Sequence, residues 1–237
     1  MIPKTIHYFW IGDENLKFSK TKKSWEKYAK DYDIKRWDES ILDDIDNSFV
    51  KQAMAAKKYA FVSDYVRLYI LEAYGGIYLD TDINIVSNID QIIDGAEFVI
   101  GSESEKVGLG TSFIASSAHN RIIKDLMHLY EDKQFNPDNL VPNSIEWSIF
   151  LKRKYDISFT QKIIEKNTIR VLPSTMVLNP SFHSVLIHIG EASWIDDDSE
   201  FRILSILFRR FLRTKLRVNA TYGVYELAKK IRHHYEK

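Results

Sequence analysis

The 237-residue sequence contains no cysteine, which excludes disulfides and thiolate metal sites and suits a reducing compartment. No apolar run approaches the roughly 20 residues that cross a bilayer. Prolines number five and glycines nine, and no Pro/Gly-rich linker, internal repeat or low-complexity stretch interrupts the chain. The one boundary that suggests itself follows Asp196-Asp197-Asp198, dividing the chain into 1–198 and 199–237. The opening, "MIPKTIHYFWIG", has no long apolar stretch of the signal-peptide kind and reads as a first strand. The expected location is the cytoplasm.

The net charge is zero, with 33 basic and 33 acidic side chains. That balance hides an asymmetry: residues 201–237 carry ten Lys/Arg against two Asp/Glu. A basic tail on an acidic body points to an anionic surface as partner, and no nucleic acid is expected. Hydrophobic residues at 45% and charged residues at 28% are enough for a sizeable core. Strand-like and helical stretches alternate, which predicts an α/β sheet. "TIHYFWIG" (5–12) and "DIKRWD" (33–38) read as strands around a helix at 19–32. "MAAKKYAFVSDYVRLYILEAYGG" (54–76) reads as one helix stopped by Gly75-Gly76, followed by the buried strand "IYLD". Further strands are expected at 96–101, 111–116, 169–180 and 184–190, with a helix at 120–133 and two helical pieces, roughly 199–217 and 221–236, in the tail.

Asp80 and Asp82 stand at the end of that apolar strand, where ligands collect in open α/β sheets. Side chains at i and i+2 of an extended segment point the same way. Both carboxylates can therefore address one hard cation, Mn²⁺ or Mg²⁺, that also bridges phosphates. An acidic surface turn explains the same letters. Upstream, Asp64 and Arg67 are three apart on the strong helix and so neighbour each other. They form either a surface ion pair or a partly buried pair that orients sugar hydroxyls or phosphate.

With these residues in view, "IPKTIHYFWIG" followed by "AFVSDYVRLYILEAYGGIYLDTD" resembles the family-32 glycosyltransferases, which include capsular-polysaccharide enzymes and have the sugar-transferase domains of clostridial toxins as relatives. The resemblance is close over residues 1–90 and loose beyond. It implies a GT-A fold, a divalent metal on the Asp-X-Asp motif, a nucleotide-sugar donor and retention of anomeric configuration. UDP-sugars come ahead of GDP-sugars as the donor, and a saccharide, lipid-linked in the extended form of this reading, is the acceptor. By resemblance, Trp10 stacks on the base, Ser63 and Tyr78 line the nucleotide pocket, and Asp64 and Arg67 hold the donor sugar. Asp80 contacts ribose and metal, and Asp82 ligates the metal. Gly12, just after Trp10, lets the chain pass close to a ligand.

Related enzymes often close the site with a His or acidic ligand and a mobile loop carrying Trp. In "HIGEASWIDDD", His188 is the third-ligand candidate, Glu191 its substitute, and Ser193 and Trp194 fall on the closing loop. A structural histidine and an exposed acidic turn are the plain alternatives. Gly110, Thr111 and Ser112 occupy the acceptor-facing segment, where many relatives have a small residue or Asn. Glu146 and Trp147 could add acceptor contacts, although a helix start capped by Asn143 or Ser144 explains "PNSIEWSIF" equally. In the tail, Phe201, Leu204, Leu207, Phe208, Phe211 and Leu212 recur at helical spacing among arginines. This predicts an interfacial helix on anionic lipid, peripheral on the cytoplasmic face of the inner membrane, or else a helix packed on the catalytic domain. Two rival functions remain at this stage: a haloacid-dehalogenase-like phosphohydrolase and a non-catalytic nucleotide-sugar-binding protein.

Overall fold

A computed structural model describes residues 1–13, 16–104, 108–189, 207–208, 211–212 and 214–223. In chain order, β1 (Thr5–Phe9), α1 (Leu16–Tyr28) and β2 (Asp33–Trp37) lead through a 3₁₀ turn (Glu39–Asp44) to α2 (Ser48–Ala55) and α3 (Tyr59–Tyr74). β3 (Gly76–Leu79), β4 (Ile83–Ile85), α4 (Asp90–Ile93), β5 (Phe98–Ser104) and β6 (Gly108–Ser116) follow. Then come α5 (Arg121–His128), α6 (Asn143–Tyr155), β7 (Ile164–Lys166), β8 (Ile169–Leu172), α7 (Ser174–Val177) and β9 (Leu186–His188).

Seven strands form one mixed sheet in the order β2-β1-β3-β6-β5-β8-β7, and β4 pairs with β9 in a separate two-stranded ribbon. Strand β1 runs parallel to both β2 and β3, with His7 opposite Tyr78. The ends of β1 and β3, carrying Trp10 and Asp80, therefore emerge at the same carboxyl edge. Strand β6 returns antiparallel between β3 and β5.

The pleat sorts side chains between two cores. Ile77 and Leu79 face one layer with Ile6, Tyr8, Trp25 and Ile83, while Tyr78 faces the other with Val66, Ile70, Trp147 and Leu151. Helix α3 lies in that second layer, buried on most of its circumference, Arg67 included. The same two-residue alternation sends Asp80 to the side of Tyr78, toward α3.

The predicted helix at 54–76 is two helices. Lys57 sits at φ 57°, its N–H donates to the Met54 carbonyl, and that of Lys58 donates to the Ala53 carbonyl. This is a Schellman stop with lysine where glycine is usual. The predicted strand at 169–180 is extended only to Leu172, after which Pro173 opens α7. The strand expected at 184–190 and the helix expected at 120–133 are present but shorter. In the tail, the residues at 207–208, 211 and 215–223 are helical. Leu212 and Val218 are buried against Val86 and Ile187, whereas Leu207, Phe208, Phe211 and Leu216 are exposed. Leu212, expected on the outward apolar stripe, thus turns inward, and the rest of that stripe within the described residues turns out.

Candidate active site

The centre of the site is Arg67, 4% exposed at its side chain. Its Nε donates to the Ser63 carbonyl at 3.0 Å, one terminal nitrogen to the Thr111 carbonyl at 2.6 Å, and the other to Ser63 Oγ at 2.9 Å. That last nitrogen also lies 3.2 Å from Asp64 and 3.3 Å from Asp80. The guanidinium rests over the Tyr78 ring, 5.1 Å from its centroid. Ser63, Asp64 and Arg67 share a helix face because they sit four and three residues apart.

Burial opposes the charge on Arg67, but Asp80 and Asp64 outweigh it and hold the guanidinium protonated. Burial also pushes the Asp64 carboxyl up to about 7, with Arg67 opposing and Asp80 adding. The Asp80 carboxyl is raised by burial first, with Arg67 pulling it down and Asp82 pushing it up. Two carboxylates on one guanidinium leave the cluster with excess negative charge, an arrangement that favours a cation nearby.

Asp80 anchors its backbone on the Ser112 carbonyl at 2.9 Å, and its own carbonyl accepts from Ile83 N–H at 3.1 Å. This tight turn, in place of the extended segment expected from the sequence, breaks the i, i+2 alternation at Asp80-Thr81-Asp82 and places Asp82 at the head of β4. The β4–β9 pairing sets Ile83 opposite His188, and His188 Nε2 stands 3.1 Å from Asp82 Oδ2. Both side chains are partly open to solvent, as is Asp80 at 31%. The oxygen donors and the partial exposure fit a hard divalent cation that completes its shell with water and a ligand's phosphates. Among the described residues no three His, Asp or Glu side chains gather into a closed metal cage, so the fit is to an open two-carboxylate site with His188 alongside.

Trp10 lies at the same edge, its ring stacked on Phe18 at 5.9 Å and 16° and its Nε1 donating to the Asp13 carbonyl. Gly12 follows at φ 78°, and a Cβ there would meet nothing within 4 Å. Its requirement is therefore the left-handed backbone rather than clearance, and its carbonyl accepts from Arg36 at 2.6 Å. Tyr78 is fully buried beneath Arg67. Glu191, Ser193, Trp194 and Asp196–Asp198 lie outside the described residues.

Two sequence expectations change. Trp147 is completely buried in the core, so it cannot touch an acceptor, and Glu146 pairs with Lys133. Helix α6 starts after Pro142 with no side-chain cap. Asn143 instead accepts a hydrogen bond from Thr111 Oγ1 at 3.1 Å, leaving its Nδ2 buried without a partner. Ser112 Oγ is likewise buried and unpaired. The backbone of β6 as an anchor for both Arg67 and Asp80 was not readable from sequence, because carbonyls leave no mark on residue type.

Residues 16–99 match the family described as "glycosyltransferase sugar-binding region containing DXD motif". Inositol phosphoceramide mannosyltransferase 1 of Schizosaccharomyces pombe is 25% identical over 229 residues, covering 89% of this chain and 70% of that protein. Among solved structures, PaToxG glycosyltransferase superposes with a TM-score of 0.52 at 22% identity, over 65% of this chain and 70% of its own. A glycosyltransferase involved in glycosylating the major capsid of PBCV-1 matches at 13% identity with a TM-score of 0.47, over 87% and 98%. The architecture is that of the GT-A glycosyltransferases.

Proposed function

We propose, from the match of residues 16–99 to a glycosyltransferase sugar-binding region containing a DXD motif and the likeness to a mannosyltransferase, that this chain is a metal-dependent, retaining glycosyltransferase. It moves a hexose or N-acetylhexosamine from a nucleotide-sugar to a saccharide acceptor, lipid-linked, in surface-polysaccharide synthesis. The observation that carries this reading is the Arg67 cluster, in which one immobilised guanidinium meets both Asp64 and Asp80 beside Asp82. A phosphohydrolase or a merely binding protein gives way to the transferase.

In this reading Asp80 and Asp82 hold Mn²⁺ or Mg²⁺, and His188 either joins them or orients Asp82. When bound, the cation supplies charge neutralisation for the leaving diphosphate. Arg67 and Asp64 fix the donor sugar, since charge-assisted bonds from a guanidinium with no freedom left lose little entropy on binding. Trp10 receives the base, and Ser63 and Tyr78 hold Arg67 level. Buried Asn143 Nδ2 offers a donor to a sugar hydroxyl beside Thr111.

No further carboxylate converges on Arg67 among the described residues, which favours front-face transfer over a covalent glycosyl-enzyme. The bond from the anomeric carbon to the diphosphate breaks, the bond to the acceptor oxygen forms on the same face, and the acceptor proton passes to the departing diphosphate oxygen. UDP-sugars stay ahead of GDP-sugars on the resemblance. The fission-yeast relative, a mannosyltransferase by name, puts mannosyl donors on the panel and agrees with a lipid acceptor. In this reading the basic tail, with ten Lys/Arg against two Asp/Glu, rests on an anionic membrane surface.

A panel of UDP- and GDP-sugars with Mn²⁺ tests the assignment. Release of nucleotide from one donor, with the sugar's anomeric configuration kept by proton NMR, is the expected result. Phosphate release from simple phosphate esters with no nucleotide release from any donor would overturn it.

A further inference from the structure

Away from the Asp80–Asp82 edge, a cavity of about 540 Å³ opens between the end of β4, α7 and the tail. Among the described residues its ionisable lining is Lys162, His183 and Lys215, with no Asp or Glu, and Ser87, Gln91 and Gln161 supply further hydrogen-bonding groups. Lys215 is set in place by donating to the Phe182 and Ser184 carbonyls, each at 2.7 Å. Neutral carbonyls position its ammonium without cancelling its charge, and no carboxylate pairs with Lys162, His183 or Lys215 among the described residues. Two lysines gathered beside an imidazole with no counter-charge make a field that suits a phosphate.

The lining, and the tail that contributes Lys215 to it, also carry exposed apolar side chains. Ile163 and Phe182 at the cavity, and Leu207, Phe208, Phe211 and Leu216 in the tail, are half of the twelve exposed large hydrophobics in the described chain. The tail is docked through Leu212 and Val218 and by the edge-on contact of Tyr222 with Phe182 at 5.8 Å. That docking fixes the remaining side outward. Residues 201–237 carry eight more basic than acidic side chains. Cations beside exposed Phe and Leu match an interfacial lipid surface, where headgroup phosphates lie just above acyl chains.

We propose that this cavity is a second binding site, distinct from the donor site, which takes the phosphate of an anionic lipid headgroup while the Leu207–Phe208–Phe211–Leu216 surface rests in the interface. It builds on the membrane reading above and gives that reading an address. The membrane then holds the enzyme through the tail and cavity, independently of Asp80 and Asp82.

The test uses the full chain with vesicles of phosphatidylcholine alone or containing 20–30% phosphatidic acid (about the content that gives a strong surface potential), and four variants: Lys162→Gln, His183→Gln, Phe208→Ser and Leu216→Ser. Wild type binds the phosphatidic acid vesicles and not the neutral ones. Lys162→Gln weakens partition about five-fold, His183→Gln weakens it as well, and each apolar variant weakens it further still. Donor hydrolysis in solution is unchanged in all four. Inorganic phosphate at millimolar concentration competes only weakly.

Vesicle binding that none of the variants alters would overturn the cavity while leaving a membrane role intact. No vesicle binding at all would overturn both. Tight binding of free phosphate without any vesicle binding would make this a soluble-phosphate site and overturn the lipid assignment, as would a dimer whose formation hides these residues. Because donor hydrolysis is followed in parallel, none of these results is confused with a failure of the transferase reading.

Discussion

Arg67 commits all three of its nitrogens to fixed partners, and the two carboxylates it meets have no equivalent substitute. Removing it strands charge in a region where Asp64 is only 13% exposed. Arg67→Met should therefore lower the unfolding free energy by about 3–5 kcal/mol, the cost of breaking a buried ion pair on one side, as read from urea denaturation. A loss below 1 kcal/mol would mean that the cluster is hydrated as a surface pair is. His7 raises a second question at this scale. Its Nε2 donates to the Gly75 carbonyl and its Nδ1 accepts from Trp37 Nε1, both at 3.0 Å, so the neutral ring is fully satisfied. Burial lowers its pKa to about 4, the Gly75 bond opposing and Lys35 adding. The unfolded ring, at 6.5, takes up a proton that the folded one refuses. The contribution of His7 to stability is thus complete above pH 6.5 and lost as pH falls toward 4, by on the order of 3 kcal/mol. Stability measured against pH for wild type and His7→Gln should converge between those limits. Parallel curves would contradict the assignment.

Among elements, the junction from α3 to β3 constrains the site most. Gly75 and Gly76 have φ of 64° and 96°, and a Cβ on Gly76 would lie 2.7 Å from the Thr5 carbonyl and 2.9 Å from the His7 ring. The chain must turn there in almost no space so that β3 can lie beside β1 and carry Asp80 to Arg67. Gly95 has a similar φ of 77° but open surroundings. Gly95→Ala should cost about 1 kcal/mol from backbone strain alone. Gly76→Ala adds a backbone clash to that strain and should cost at least twice as much, or leave no folded protein. Thermal melts of the two variants decide this, and equal shifts would show that clearance at Gly76 does not matter. The Schellman stop at Lys57 also belongs here. A left-handed lysine ends α2 as firmly as glycine would, so nothing in residue type announces the break.

Across the whole molecule, local chemistry was legible and long-range assembly was not. The alternation of Ile77, Tyr78 and Leu79, the glycine pair and the i, i+3 spacing of Asp64 and Arg67 each carry their geometry in the sequence. The α/β class follows from them, whereas a common site for Asp64, Arg67 and Asp80 is what the family resemblance implies, and Arg67 meets both carboxylates. The resemblance, with the position at the end of an apolar strand, picks out His188, and the β4–β9 ribbon brings it to Asp82. What sequence could not show depends on residues far apart. The Thr111 and Ser112 carbonyls are ordinary backbone until β6 inserts between β3 and β5, Trp147 reads as an acceptor contact until α6 packs it into the core, and Leu212 parts from Phe208 and Phe211 only when the tail docks on Val86. The proposed activity requires that Asp82 serve a cation at a nucleotide-sugar site. The most direct measurement is nucleotide release from the preferred donor in Mn²⁺, in EDTA and in the Asp82→Asn variant. Release is expected in Mn²⁺ alone, at least about 100-fold lower in EDTA and in the variant, as for loss of a group that stabilises developing charge. Release that survives both EDTA and Asp82→Asn would contradict it.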